Sequence, residues 1–215
     1  MDNMPKVKCF PLGELMANCY FVYDEESGVS LVVDPGDVSA ELEECIDRFG
    51  ADKLRYILLT HGHFDHIAGV AHLKQEYPDA KIVIGEGDKS FTSQDNLNLG
   101  YHFGLSCDPF RVDIPVSEGD ELSFGQEKIK VLSTPGHTRG GVCYIIGDSI
   151  FTGDTLISGT TGRTDFPTGS LQDMYRSIAR LAAIEENLTV YCGHGPSSTM
   201  ELERQYNIYI RKFLP

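Results

Sequence analysis

The stretch THGHFDH at residues 60–66 holds three of the seven histidines of the chain, together with an aspartate. Imidazole nitrogens and carboxylate oxygens are common ligands of zinc and of other divalent transition metals in proteins. His61 and His63 lie two residues apart and face the same way if the backbone stays extended. Asp65 and His66 follow further along the chain and face a different direction. Four ligand groups exceed what one catalytic zinc site usually takes, so the spacing predicts two adjacent metal ions.

Three later stretches offer further ligand groups, each just after a predicted strand and beside a glycine. STPGHTRGG contains His137, FTGDTL contains Asp154, and YCGHGPSS contains His194. Glycine allows the backbone to approach a site closely. One histidine at a strand end is usually structural, but three such groups added to the first motif indicate a metal centre. His72, His102 and Cys192 fit surface or packing roles better than a role in this centre.

The elements that must position these groups can be predicted from hydrophobic periodicity. LRYILLT (54–60) is an apolar strand that leads into the first motif, and HIAGVAHLKQEY (66–77) is predicted to be the helix after it. The other predicted strands are 18–23, 29–34, 80–85, 128–134, a hairpin at 141–154 and 189–193, and the other helices are near 38–49, 170–184 and 199–213. Two runs of strands with helices dispersed among them predict an α/β layered architecture rather than a strictly alternating βαβ sheet.

Two further segments carry expectations about packing and function. Residues 86–120 are rich in Gly, Asp and Ser with weak periodicity, which favours a lid or a substrate loop. The predicted last helix has an apolar stripe that we expect to pack in the core. The stripe consists of Leu202, Tyr206, Tyr209, Ile210 and Phe213.

Composition limits the classes of function. A length of 215 residues with no repeat or linker predicts one domain over residues 1–215. The formal net charge of −14 argues against nucleic-acid and anionic-membrane partners, which require an excess of Lys and Arg. Six scattered cysteines without a CxxC motif indicate reduced thiols. Because MDNMPKVKCFPLG has no apolar signal region and no stretch is long enough to span a membrane, a cytoplasmic location is expected.

Taken together, the motifs resemble a known family. THGHFDH, the PGHT around His137, the TGDTL around Asp154 and the GHG around His194 closely resemble the metallo-β-lactamase-fold hydrolases, in the same order along essentially the whole chain. The resemblance implies a four-layer αββα sandwich with the metal site at one edge of its two sheets. Exported β-lactam hydrolases of this fold are not expected here, because the chain shows no signal peptide.

Two stretches narrow the resemblance. GRTDFPTGS (162–170) and GHGPSSTMELERQYN (193–207) are similar to the small single-domain branch of the glyoxalase II group, also called hydroxyacylglutathione hydrolase-like proteins. Full-length glyoxalase II enzymes continue into a helical C-terminal domain that supplies much of the glutathione contact. The resemblance therefore implies thioester hydrolysis by a chain that lacks that domain.

The resemblance also implies a role for each candidate residue. One metal would be held by His61, His63 and His137, the other by Asp65, His66 and His194, with Asp154 bridging the two. Asp34 matches a position that hydrogen-bonds a ligand histidine, although a helix-cap or turn role is an equal alternative. Arg163 matches an arginine near the site, where it would either hold the loop of Asp154 or meet an anionic substrate.

The implied reaction is hydrolysis of a small-molecule thioester such as a hydroxyacylglutathione. Two divalent metal ions, expected to be zinc with iron or manganese as alternatives, would share a water and lower its pKa toward neutrality. The resulting hydroxide would attack the carbonyl, and a thiolate with a pKa of about 8.5 would leave without a strong general acid. Asp65 is also a candidate for proton handling.

Two alternatives remain open at this stage. GRTDF is also similar to the persulfide dioxygenases of the same fold, in which one iron is held by residues matching His61, His137 and Asp154. The other alternative is a non-catalytic metal-binding or regulatory module, for which a damaged ligand set would be the sign, and the chain shows none. The natural acyl group, the thiol and the oligomeric state are not fixed by these patterns.

Overall fold

Two six-stranded β-sheets form the centre of the protein in a computed structural model that describes residues 4–213. The first sheet contains, in spatial order, β1 (Lys6–Leu12), β2 (Ala17–Asp24), β3 (Val29–Val33), β4 (Leu54–Leu59), β5 (Lys81–Gly85) and β6 (Ile114–Val116). The second contains β7 (Glu121–Phe124), β8 (Glu127–Ser133), β9 (Val142–Ile146), β10 (Ser149–Gly153), β11 (Thr189–Cys192) and β12 (Ser198–Thr199), adjacent in the same order.

Helices cover the outer faces of both sheets. They are α1 (Ala40–Phe49), α2 (Phe64–Ile67), α3 (Val70–Glu76), α4 (Gly100–Phe103), α5 (Leu171–Ala182) and α6 (Met200–Tyr206). Shorter 3₁₀ segments run over Ala51–Lys53, Glu86–Ser93 and Ile210–Phe213. Within residues 4–213, no helix has the length and apolar content needed to cross a membrane.

Three apolar clusters hold these layers together. Alternate residues of the strands point to opposite faces, so each sheet contributes to two clusters. Val33 and Leu58 of the first sheet pack against Tyr144 and Phe151 of the second in the middle cluster. The outer face of the first sheet packs against α1 and α3, and that of the second against α5 and α6. The predicted αββα sandwich is therefore confirmed.

Chain direction brings several strand ends to one edge of the sandwich. β3, β4 and β5 run parallel to one another, so their carboxyl ends lie side by side. β10 and β11 also run parallel in the second sheet. The two sheets are joined at this edge, where the Val142 backbone N–H donates to the Thr60 carbonyl at 2.9 Å. Loops that leave these strands therefore start close together.

The helix predicted at 66–77 is two helices. α2 ends at Ile67 and α3 begins at Val70, with Gly69 between them. The Gly69 backbone N–H donates to the Pro35 carbonyl at 2.9 Å, and a Cβ at Gly69 would lie 2.4 Å from the Asp37 carbonyl oxygen. This close approach of the 35–37 segment separates the two helices, and His66 therefore belongs to a short helix whose direction is set independently of α3.

The prediction of one core-facing helix over 199–213 is wrong. α6 ends at Tyr206, because the Asn207 side-chain oxygen accepts hydrogen bonds from the backbone N–H groups of Tyr209 and Ile210. Glu203 and Asn207 are buried and bonded to each other at 2.7 Å, so a polar pair faces inward. Of the predicted apolar stripe, Ile210 is buried and Tyr209 is half-buried, while the other three residues, Leu202, Tyr206 and Phe213, are exposed.

The 86–120 segment contains more regular structure than its composition predicts. It includes the Glu86–Ser93 3₁₀ segment, α4 and β6. The burial of Phe91 and Leu99 anchors it against the first sheet. β1, β7 and β12, which were also not predicted, are short or partly exposed edge strands, and such strands carry little apolar periodicity.

A second hydrogen bond between the sheets, made by the Tyr144 side chain, provides a test of this packing. The Tyr144 hydroxyl is buried and donates to the Leu59 carbonyl at 2.9 Å. We expect Tyr144→Phe to lower the free energy of unfolding by about 1–2 kcal/mol, because one buried hydrogen bond is lost. Tyr101, with 75% of its surface exposed, is the matched control. Tyr101→Phe should change stability by less than about 0.5 kcal/mol in the same urea titrations, and equal effects of the two substitutions would contradict the assignment.

Candidate metal centre

Three histidines from two loops converge at the common edge of the sheets. His61 and His63 follow β4, and His137 follows β8. One ring nitrogen from each lies within 4.8 Å of the others, and all three residues are buried. The closest pair is His63 Nδ1 and His137 Nε2, at 2.8 Å. The first three predicted ligand groups therefore lie together.

A second group lies directly beside the first. Asp65, His66 and His194 each offer one ligand atom within 4.8 Å of the others. The His194 Nε2 atom is 3.3 Å from the Asp65 carboxylate. Asp154 lies between the two groups, with its Oδ2 3.5 Å from His137 Nε2 and its Oδ1 3.7 Å from His66 Nε2. All seven predicted ligand groups are thus within one cluster.

In two of the histidines, a hydrogen bond from the ring nitrogen that points away from the cluster determines which nitrogen faces inward. His66 Nδ1 donates to the Asp34 carboxylate at 3.0 Å. His137 Nδ1 donates to the Arg163 carbonyl at 2.7 Å, since a carbonyl oxygen only accepts. The Nε2 atoms of both rings are therefore directed into the cluster, which is the orientation that outer hydrogen bonds impose on metal-ligating histidines.

His61 is oriented through Thr60. The Thr60 hydroxyl donates to Asp34 at 2.6 Å, so its oxygen is free to accept from His61 Nδ1 at 3.1 Å. Asp34 also accepts from the Thr60 backbone N–H at 2.7 Å. A single buried carboxylate thereby orients two histidines, and Asp34 has the hydrogen bond to a histidine that the sequence indicated.

Burial and nearby charges act differently on the individual rings. Burial lowers the pKa of His61 and of His63 well below the usual value, so these rings are neutral. Burial would also lower the pKa of His66, but Asp65, Asp34 and Asp154 together raise it to about 10. The carboxylates around His66 therefore favour a positive charge at this position, which either a proton or a metal cation supplies.

The cluster contains buried polar atoms that lack a partner. Among the described residues, His61 Nε2, His63 Nε2, His66 Nε2 and Asp154 Oδ1 are buried and make no hydrogen bond. Buried groups of this kind are rare and costly in folded proteins unless an ion or water completes them. Three of them, His61 Nε2, His66 Nε2 and Asp154 Oδ1, belong to groups of the cluster whose other atoms are already bonded or face a neighbouring ligand group, and nitrogen and carboxylate ligands of this kind fit divalent transition-metal ions.

Gly193 lets the loop of His194 approach the cluster. A Cβ at this position would lie 2.2 Å from Asp154 Oδ1 and 2.8 Å from the His66 ring. Any side chain here would displace one of these two groups. Asn18 of β2 also fixes this loop, because its side-chain amide donates to the carbonyls of Cys192 and Gly195 at 2.9 and 2.8 Å.

The two flanking candidates contribute in different ways. Arg163 contacts the cluster through its carbonyl, whereas its guanidinium pairs with Asp165 at 2.6 Å and lies over the Phe166 ring. The neighbouring Gly162 N–H donates to the Asp154 carbonyl at 2.8 Å. Cys192 is buried, and burial raises the pKa of its thiol, which keeps it protonated. His72 pairs with Glu43 at 2.8 Å.

Asp88 is a site residue that sequence reasoning missed. Its carboxylate is fully buried and accepts from the Gly62 N–H at 3.0 Å and from the Thr138 hydroxyl at 2.6 Å. It also accepts from the Gly140 N–H at 2.8 Å. Asp88 therefore ties the loop of His61 and His63 to the loop of His137. The available signal was an acidic residue shortly after β5, at the same sheet edge as β4.

A pocket of about 290 Å³ opens beside the cluster at Asp65. Its walls come from the β1–β2 turn, the 36–37 segment, the start of α2 and the 105–107 segment. Glu14, Asp37 and Asp65 contribute carboxylates, and Leu15, Phe64 and Leu105 contribute apolar surface. The cluster and the pocket together form a site where a small molecule can meet the inward-facing ligand atoms.

Comparison with known proteins agrees with this geometry. A sequence model described as the Metallo-beta-lactamase superfamily matches residues 12–194, which include every group of the cluster. The chain belongs to the metallo-β-lactamase superfamily. As a superfamily member with this histidine and aspartate cluster, it has the features of a metal-dependent hydrolase, and its relatives include glyoxalase II-like proteins.

Three of the superfamily relatives match this chain along nearly their full length. Hydroxyacylglutathione hydrolase GloC of Haemophilus influenzae is 31% identical over 209 residues, covering 95% of this chain and 97% of its own. The crystal structure of TTHA1623 in a di-iron-bound form has a TM-score of 0.82 at 32% identity, covering 94% and 100%. The BLEG-1 B3 metallo-beta-lactamase structure has a TM-score of 0.88 at 27% identity, covering 95% and 99%.

Metal binding by the cluster can be measured through stability. Zinc added to chelator-stripped protein should raise the melting temperature by about 5 °C or more at 100-fold excess over its dissociation constant, because only the folded state binds it tightly. His61→Ala should lose most of this increase, and His72→Ala, which removes a surface histidine, should keep it. An equal gain in both variants would show that zinc binds elsewhere.

Asp88 can be tested with an isosteric substitution. Asp88→Asn replaces an acceptor oxygen with a donor NH₂ group, so at least one of its hydrogen bonds is lost. We expect metal affinity to fall about tenfold, as for other residues that position metal ligands. Asp148→Asn changes an exposed aspartate in the β9–β10 turn, at the far end of the strands, and should leave affinity unchanged in the same calorimetric titration. An unchanged metal affinity in Asp88→Asn would contradict the inference that Asp88 positions the ligand loops.

Proposed function

We propose that this protein is a dinuclear metal-dependent thioester hydrolase. The observation that carries the proposal is the convergence of seven histidine and aspartate groups, four of them with unpartnered buried atoms, beside an open pocket. Similarity to a hydroxyacylglutathione hydrolase over nearly the whole chain supports a thioester as the substrate class.

Two cation positions follow from the two groups of ligand atoms. His61, His63 and His137 would hold one cation, and Asp65, His66 and His194 the other, with Asp154 between them. Zinc, iron and manganese all accept such a mixed imidazole and carboxylate set. Two divalent cations bound there would supply Lewis-acid polarisation of a carbonyl and a lowered pKa for water.

The side chains of the protein contribute orientation and proton handling. Asp34, Thr60 and the Arg163 carbonyl fix the ring nitrogens that face the reaction site. Asp65 borders the pocket, and its carboxylate lies 3.3 Å from His194 Nε2. Burial would raise the pKa of Asp65, but His66 and His194 hold it below the usual range, so the group remains an ionised carboxylate at the edge of the pocket, where it is the candidate for proton handling by position.

No side-chain nucleophile is needed for this reaction. Cys143 and Cys192 are buried, and burial raises the pKa of both thiols, so neither provides a reactive thiolate. A thioester also requires little help for its leaving group, because a thiol has a pKa of about 8.5. The site therefore needs to activate water and hold the carbonyl, and the cluster contains the groups for both tasks.

The test combines metal analysis with three activity assays. We expect two metal ions per chain, hydrolysis of S-lactoylglutathione or of an uncharged thioester, and no oxygen uptake with glutathione persulfide. His61→Ala should lower turnover by more than about 100-fold, since even residues behind metal ligands are worth 10–100-fold. His72→Ala should retain turnover.

Two outcomes would contradict the proposal, and each would favour a different function. One iron per chain with persulfide-dependent oxygen uptake would identify a persulfide dioxygenase, the alternative that GRTDF leaves open. Two bound metals without turnover of any thioester, persulfide or β-lactam would favour a metal-binding module without catalysis.

A further inference from the structure

The charge of the pocket beside Asp65 points to a particular class of thioester. We propose that this pocket selects substrates whose bound part is apolar and carries no negative charge, and that it discriminates against anionic thioesters such as those of glutathione. The inference rests on the proposed function and extends it from thioesters in general to one charge class.

Besides Asp65, the pocket has two acidic groups, which lie on separate segments. Glu14 belongs to the β1–β2 turn and Asp37 to the segment after β3, and both are exposed. Neither pairs with a lysine or arginine among the described residues. The described residues that line the pocket include no lysine and no arginine. A substrate carboxylate held against the Glu14 and Asp37 walls, away from the metal centre, would face two negative charges with no lysine or arginine beside it.

Two arginines that neighbour the metal centre are engaged with other groups. The Arg163 guanidinium pairs with Asp165, and the Arg139 guanidinium donates to the Gly87 carbonyl and the Ser90 hydroxyl. Neither arginine is among the residues that line the pocket. Glutathione carries two carboxylates and one ammonium group, and the pocket lining offers its carboxylates no lysine or arginine.

Apolar side chains form the remaining wall. Leu15 and Leu105 are 42% and 39% exposed, and Phe103, which stacks near Phe64 with ring centroids 5.0 Å apart, is 49% exposed. Exposed apolar residues that gather at the mouth of a pocket commonly cover an apolar part of a ligand. An uncharged, apolar group placed there removes this surface from water without the repulsion that an anionic group would meet.

A matched pair of substrates isolates the effect of charge. Acetyl thioesters of 3-mercaptopropionate and of 3-mercaptopropionamide have nearly the same size and differ by one negative charge. We expect kcat/KM to be about tenfold higher for the amide at low salt, and the ratio to shrink as ionic strength rises. S-propyl thioethers of the same two thiols, which cannot be hydrolysed, should show the same order of affinity in calorimetry.

Charge-reversal variants connect the preference to the two residues. Glu14→Lys/Asp37→Lys should reverse the preference in both assays, and Glu14→Lys alone should reduce it. Glu127→Lys/Asp148→Lys makes the same change of charge at the opposite end of the strands, on the β8 start and the β9–β10 turn, and should leave the ratio unchanged.

The two readouts separate this inference from the proposed function. Hydrolysis of both thioesters without a charge preference, unaltered by Glu14→Lys/Asp37→Lys, would overturn the inference and leave thioester hydrolysis standing. Absence of hydrolysis, combined with tighter binding of the amide thioether that the same variant reverses, would support the charge selection and reject the hydrolase.

Discussion

The Asp34 carboxylate accepts three hydrogen bonds at the edge of the two sheets, and the arrangement of the metal centre depends on them. Two come from the backbone and hydroxyl of Thr60, and the third comes from His66. Because Thr60 gives its only hydroxyl proton to Asp34, its oxygen accepts from His61. One buried acceptor thus determines which nitrogen two different rings present to the cluster. Asp34 itself has a positive φ of 50°, an uncommon conformation for a residue other than glycine, which the surrounding hydrogen bonds maintain.

The sandwich makes this local chemistry possible by bringing strand ends together. His61 follows a strand of the first sheet, and Asp154 and His194 follow parallel neighbours in the second. Contacts across the edge, such as the Val142 N–H to the Thr60 carbonyl, fix the two sheets relative to each other. A shift between the sheets would separate the ligand groups, so the packing of Tyr144 and Phe151 in the middle cluster also preserves the metal centre.

The sequence predicted the ligand groups because each lies within a short motif beside a strand with strong apolar periodicity. It did not predict Asp88, whose partners lie 26 to 52 residues away and share no local pattern with it. The last helix was mispredicted for a related reason. Its apolar periodicity continues past Tyr206, but the Glu203–Asn207 pair and the backbone bonds to Asn207 stop the helix and turn a polar face inward. Tertiary hydrogen bonds outweighed local preference in both cases.

The charge of the pocket is likewise a property of the fold and not of any one motif. The chain as a whole carries −14, but Glu14 and Asp37 are 23 positions apart and meet only because the β1–β2 turn folds over the segment after β3. The inner cluster and the outer pocket therefore differ in the charge that they favour in a bound group. The carboxylates around His66 favour positive charge, which a proton or a metal cation supplies, whereas the carboxylates of Glu14 and Asp37 are exposed to solvent and would repel anions approaching from outside. In the proposed hydrolase, the cation site at the inner cluster would thereby be combined with selection against anionic substrates at the entrance.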